Sequence, residues 1–236
     1  MPLTAGFLVA GPISGILSDR FGPRPFATGG MIASAIGFVM LERLPTSFDY
    51  AVFAGILFLM GVSMGAFAAP NRAGVMNSLP ARHRGAGAGM NQTFQNSAQV
   101  LSIGIFFTLM IVGLSATLPH ALTAGLEAHG VPAGTASHVG QLPPISVLFA
   151  SFLGYDPASS LLGPHVLAHL SAASRAAIEG HRFFPSLIAG PFRDGLHEAF
   201  TFAAVICLVA AAASWSRGSY RARQAATEAA AAPDSL

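Results

Sequence analysis

The chain is short of charge. Charged residues fill 9% of its 236 positions and apolar residues 53%, whereas a soluble globular chain carries about 25% charged. A soluble domain of this length needs charge to cover its surface, so the composition points to a polytopic membrane protein whose outer surface meets lipid. Lysine is absent; every basic side chain other than histidine is Arg. Snorkelling at a membrane would accept either residue, so this reads as a composition bias. The formal charge is only +2 and no basic run is present, which excludes a nucleic-acid partner. The one cysteine, Cys207, lies in an apolar run, so there is no disulfide framework. The N-terminus has no charged n-region or small-residue cleavage site and is not expected to be a signal peptide. Nothing resembles a nucleophile–base pair, a paired-carboxylate site or a phosphate loop. No enzyme activity and no cofactor are expected.

What is present is a series of long apolar runs. A helical span needs about 20 apolar residues, and five candidates are found: 3–18, which is short, 26–41, 50–70, 88–114 and 196–215. Pro25 opens the second at a helix start, and Trp215 ends the last as an interfacial anchor. Small residues recur at a spacing of four (Gly61 with Gly65, Gly85 with Gly89), which lets membrane helices approach closely. Arginine sets the orientation. Arg20, Arg24, Arg72, Arg82, Arg84, Arg217, Arg221 and Arg223 fall on one side, against Arg43 in the short connection opposite and Arg175, Arg182 and Arg193 in the long loop, which counts for little. By the positive-inside rule the 15–25 connection and the tail face the cytoplasm, and 42–49 and 115–195 face outside. The tail, 216–236, is Ala-rich with scattered charge and reads as disordered or as a frayed helix.

Residues 15–25 read GILSDRFGPRP. Gly22 permits a tight reversal. Asp19 can accept hydrogen bonds at a helix N-terminus, and Arg20 and Arg24 can pair with carboxylates or lipid phosphates. Gly15, Asp19, Arg20, Gly22 and Arg24 resemble the signature loop of the major facilitator superfamily, with Pro23 where a basic residue is common. A second block, GVSMGAFAAPNRAGVMNSLPARHRGAGAGMNQTFQN at 61–96, is similar to later spans of its drug:proton antiporter group, particularly the fourteen-span branch. There a Gly-rich span ends in Pro (here Pro70) and leads through a basic loop (Pro80, Arg84-Gly85) to the next Gly-rich span. The first half of such transporters usually adds an embedded Arg two helices after the signature loop, and 50–70 has none. The resemblance therefore implies the C-terminal half, with a missing N-terminal half as partner and a start that is truncated, split or mis-called. It implies an all-α membrane fold: four transmembrane helices in 1–114, a long, partly helical extracellular loop at 115–195, the last span at 196–215 and a cytoplasmic tail. It also implies a proton-coupled secondary transporter in the bacterial cytoplasmic (inner) membrane. Such a transporter exports drugs or other small amphipathic compounds by alternating access, with the proton gradient as its energy source. The competing expectation is a non-transporting membrane fragment or interaction module that needs a partner half.

Candidate substrate-path residues follow from spacing. Asn91, Gln95 and Gln99 share one helical face, with Gln92 and Asn96 beside them. Amides in hydrocarbon must find partners, so this face should look into a bundle or a water-filled cavity, as a path wall or as interhelical glue. Met60, Met64 and Phe67 form a second stripe, suited to an adaptable pocket or to plain packing. No Asp or Glu sits at the centre of a span; Asp49 and Glu198 lie near outer ends, so the coupling carboxylate is expected elsewhere. In 115–195 the apolar pieces 147–154 and 159–170 are too short to span and are expected as interfacial or re-entrant helices capping the outer mouth. Seven of the eight histidines fall in 120–197. His165 and His169 have a metal-compatible spacing, but no Cys or carboxylate completes a set, so no metal site is assigned and solvated histidines are expected.

Overall fold

A computed structural model describes residues 1–45, 47–153, 157–180 and 183–216. The expected disordered tail, with Arg217, Arg221 and Arg223, lies outside the described residues. Among the described residues every regular element is a helix: α1 (Pro2–Phe21), α2 (Pro23–Glu42), α3 (Tyr50–Asn77), α4 (Arg84–Ala128), α5 (Ala133–Gly140), α6 (Pro144–Phe152), α7 (Pro157–His169), α8 (Ala172–Ile178) and α9 (Phe183–Ser216). A 3-10 turn at Ala81–His83 precedes α4. The chain adopts the all-α membrane architecture that the resemblance implies. Among the described residues, four stretches are long and apolar enough to cross a bilayer: Pro23–Glu42, Tyr50–Asn77, Ala81–Ala128 and Phe183–Ser216. The expected first span does not reach that mark, because Gly6, Gly11, Ser14, Gly15, Ser18, Asp19 and Arg20 dilute its hydropathy. Its helix is longer than the expected 3–18, however. The 20 residues of α1 cover about 30 Å, a bilayer's hydrocarbon thickness.

The chain divides into two compact units, Met1–Gln99 with the chain from Phe200, and Val100–Ala199. In the first unit α3 is the central element, and glycine lets α1 and α2 approach it at backbone distance. A Cβ on Gly61 would meet the Leu3 carbonyl, and one on Gly65 would lie 2.8 Å from Gly11 N and 2.9 Å from Phe7 O. On the other flank, a Cβ on Gly30 would lie 2.7 Å from Ser63 O. The Ser14 hydroxyl is buried, and at 3.1 Å from the Gly65 carbonyl it donates across the α1–α3 seam. It also lies 3.0 Å from its own Gly11 carbonyl. Asp49 caps α3, its Oδ1 accepting from Ala51 N–H at 2.9 Å. The last helix joins α2 through Phe38 and Phe200, with ring centroids 6.0 Å apart, and through Thr201 Oγ1, which donates to Glu42 Oε2 at 3.2 Å.

The second unit corrects the sequence expectation in extent. Residues 115–195 were expected as one long, partly helical loop. Instead α4 continues to Ala128 and α9 begins at Phe183. The reason is a leucine ladder at helical spacing, Leu114, Leu118, Leu122 and Leu126, each at most 1% exposed. Val131, Ala136, Val139, Val147, Leu162, Ile178, Phe183 and Phe184 close around it as a hydrophobic core. The two short apolar helices expected at 147–154 and 159–170 exist as α6 and α7. Val147 and Leu162 turn into this core rather than out to lipid, because the ladder gives them an apolar surface to cover.

Candidate functional site

The signature residues lie at the junction of α1 and α2, and the connection is a single residue. Gly22 stands alone between the helices at φ 85, ψ 157, a conformation L-residues rarely adopt. The Gly22 N–H donates to the Ser18 carbonyl at 2.8 Å, closing α1, and Pro23 opens α2 at once. Ser18 is buried and its hydroxyl turns back to the Gly15 carbonyl at 2.7 Å. The end of α3 reaches the same junction, since a Cβ on Gly74 would touch Pro23 at 3.5 Å.

The charged residues of the junction behave differently from one another. Asp19 and Arg20 are exposed. Asp19 accepts no hydrogen bond among the described residues, contrary to the helix-capping expectation. Proline at positions 23 and 25 removes N–H donors from the first turn of α2, so that helix start has little to offer a carboxylate. Arg20 lies 5.7 Å from the Phe21 ring centroid. Arg24 is half-buried, and its guanidinium carbon stands 4.5 Å from the centroid of the Trp215 ring, near the end of α9. Its Nε is buried without a hydrogen-bond partner among the described residues, as is Thr28 Oγ1 one turn on. Its charge is thus answered by a π face, a contact worth about 0.5–2 kcal/mol depending on desolvation. Sequence reading took Trp215 as a membrane anchor and missed this pairing; nothing in the local sequence signals a contact between positions 24 and 215.

The amide stripe sits on the first part of α4. Asn91 is half-buried, and Gln92, Gln95, Asn96 and Gln99 are exposed. Gln92 Nε2 donates to Asn96 Oδ1 at 3.0 Å along the helix, and Arg72 Nη2 of α3 reaches Gln95 Oε1 at 3.5 Å. Arg72, Met76, Ala88, Asn91 and Gln92 line an open cleft of about 190 Å³, smaller than the 300 Å³ or more of a typical drug-sized site. The structure thus joins part of the stripe to a basic residue that sequence reading had used only for orientation. Met60, Met64 and Phe67 do not line this cleft. Met60 lies over Gly37, where a Cβ would meet its Cγ at 2.8 Å, and Phe67 lies over Gly30. Those two pack α3 onto α2, while Met64 is 55% exposed. Among the described residues no group of three or more His, Cys, Asp or Glu side chains could hold a metal ion.

Residues 3–126 match the family model described as Major Facilitator Superfamily. An MFS-type transporter of Bacillus subtilis, YhcA, is 24% identical over 88% of this chain and 35% of its own length. The methyl viologen resistance protein SmvA of Salmonella typhimurium is 30% identical over 58% of the chain and 27% of its own. The riboflavin transporter RibZ of Clostridioides difficile is 24% identical over 48% of the chain and 27% of its own. The chain thus spans about a third of the length of these curated relatives, or less. No solved structure matches it significantly.

Proposed function

The chain belongs to the major facilitator superfamily, and from that premise we propose that it is the C-terminal portion of a proton-coupled exporter of small amphipathic compounds. The observation that carries the reading is the one-residue turn at Gly22. It joins two helices packed on a common third and carries Asp19, Arg20 and Arg24 at one end of the unit. A junction this short transmits rotation of one helix directly to the next. Such a junction suits a mechanism in which two bundles rock about a central site. The C-terminal assignment is supported by the absence of an embedded Arg from 50–70. The amide stripe of α4 is proposed as part of the wall that faces the complementary bundle. Its exposure within this chain supports that, since amides in a membrane require partners. The Arg-bearing junctions at 20–24 and 72–84 are proposed to face the cytoplasm of a bacterial inner membrane. A relative bears the name of methyl viologen resistance, so methyl viologen is the first compound to test.

The test is complementation. The chain is co-expressed with an N-terminal portion carrying its own signature loop, in a strain sensitive to methyl viologen. Restored growth that Asp19→Asn removes supports the proposal. Growth restored equally by Asp19→Asn removes the junction from the mechanism. No restoration with both portions present in the membrane favours the competing reading, a non-transporting module.

A further inference from the structure

We propose that His165 and His169 form a two-imidazole site for a divalent transition-metal ion, Cu²⁺ ahead of Zn²⁺, on the surface of the Val100–Ala199 unit. The two rings lie in contact on α7, with centroids 5.0 Å apart and planes tilted at 50°. An imidazole nitrogen binds these ions at about 2.0–2.1 Å, which puts each ring centroid about 3.2 Å from the metal. Two centroids 5.0 Å apart then subtend about 100° at a common ion, between the cis angle of a square-planar site and the tetrahedral angle.

The segment that carries the rings is held by its own packing. α7 kinks at Gly163, at φ 69 and ψ 163, a conformation that favours glycine. Beyond the kink, Val166, Leu167 and Leu170 pack against the core, and both histidines are exposed. Arg175 of α8 donates from Nε to the Leu167 carbonyl at 2.8 Å, tying down the backbone between the two rings. The histidines therefore project from an anchored turn rather than from a free loop, so little ordering is left for binding to cost. Imidazole suits copper, nickel and zinc, and the affinity order favours copper. With no third ligand among the described residues, water or an external donor fills the remaining positions, so the site is open rather than structural.

The test uses the whole chain, without a polyhistidine tag, in detergent micelles. Cu²⁺ alone is titrated and followed by calorimetry and by electron paramagnetic resonance. The expected result is one site per chain whose spectrum shows splitting from two nitrogens. Losing one ring removes the chelate advantage, so His165→Ala or His169→Ala should weaken the site about 10²-fold or more. His138→Ala, on the exposed surface of α5, should leave it unchanged. Both substituted positions are exposed, and an unaltered size-exclusion profile confirms that the variants fold. Binding of equal strength in the double variant, or a spectrum showing one nitrogen or none, would overturn the proposal and leave two solvated rings in contact.

Discussion

Substituting Gly65 with alanine gives the sharpest reading of how α1, α2 and α3 hold together. The added Cβ would lie 2.8 Å from Gly11 N, 2.9 Å from Phe7 O and 3.0 Å from Ala10 Cβ. Ordinary contact begins near 3.5 Å, so α1 must retreat by about 0.5–0.7 Å. All three neighbours belong to α1, and two of the three atoms are backbone, so a rotamer change cannot relieve the crowding. The retreat also stretches the 3.1 Å hydrogen bond from Ser14 to the Gly65 carbonyl. Overpacking costs about 1–3 kcal/mol and the hydrogen bond about 0.5–1.5, against about 1 kcal/mol gained from alanine's helix propensity. The net expectation is a loss of about 0.5–3.5 kcal/mol, or several degrees in Tm at roughly 2–4 °C per kcal/mol. Gly29→Ala and Gly55→Ala are the controls. A Cβ at either position meets nothing within 4 Å, so only the propensity gain remains and stability should hold or rise slightly. Thermal inactivation of the detergent-solubilised chain, read by size exclusion, separates the two signs. Equal stability of Gly65→Ala and Gly55→Ala would refute the close-packed α1–α3 seam.

Four further outcomes are expected. Gly22→Ala, forced to φ 85, should cost about 1–3 kcal/mol by the same assay, whereas an unstrained alanine would be neutral. Trp215→Ala should remove the face over Arg24 and lower stability by about 0.5–2 kcal/mol. Arg24→Lys should keep part of that contact, and a double-mutant cycle with zero coupling would dismiss it. Leu122→Ala, at a position 0% exposed, should destabilise the Val100–Ala199 unit by about 2–5 kcal/mol and open it to limited proteolysis while α1–α3 stay protected. In the transporter assembled from both portions, Asp19→Asn should impair transport while equilibrium binding of methyl viologen persists. Loss of binding with unchanged conformational populations would contradict that role.

The sequence disclosed the junction because its signals are local. A glycine between a helix end and a proline announces a tight reversal, and Gly22 makes one. The length of α4 was harder to read. The ladder Leu114, Leu118, Leu122 and Leu126 has plain helical spacing, but Pro119, His120 and Glu127 interrupt the apolar run that marks a membrane span. A search for apolar windows stops where the membrane signal stops, although the helix and its core go on. The methionine stripe shows the opposite limit. Its period was visible, but the packing of Met60 and Phe67 depends on Gly37 and Gly30 of another helix. Pairings such as Arg24 with Trp215 and Thr201 with Glu42 connect distant positions through the tertiary fold, and no spacing rule reaches them.

The central claim is that this chain supplies one bundle of a two-bundle, proton-driven transporter. The direct measurement is methyl viologen flux into proteoliposomes under an imposed pH gradient, with the purified chain alone and with the complementary N-terminal portion. The account predicts no gradient-dependent flux from the chain alone, since alternating access needs two bundles with a site between them. It predicts flux when both portions are present, collapsing when the gradient is dissipated. Robust gradient-driven flux from the chain alone would contradict it.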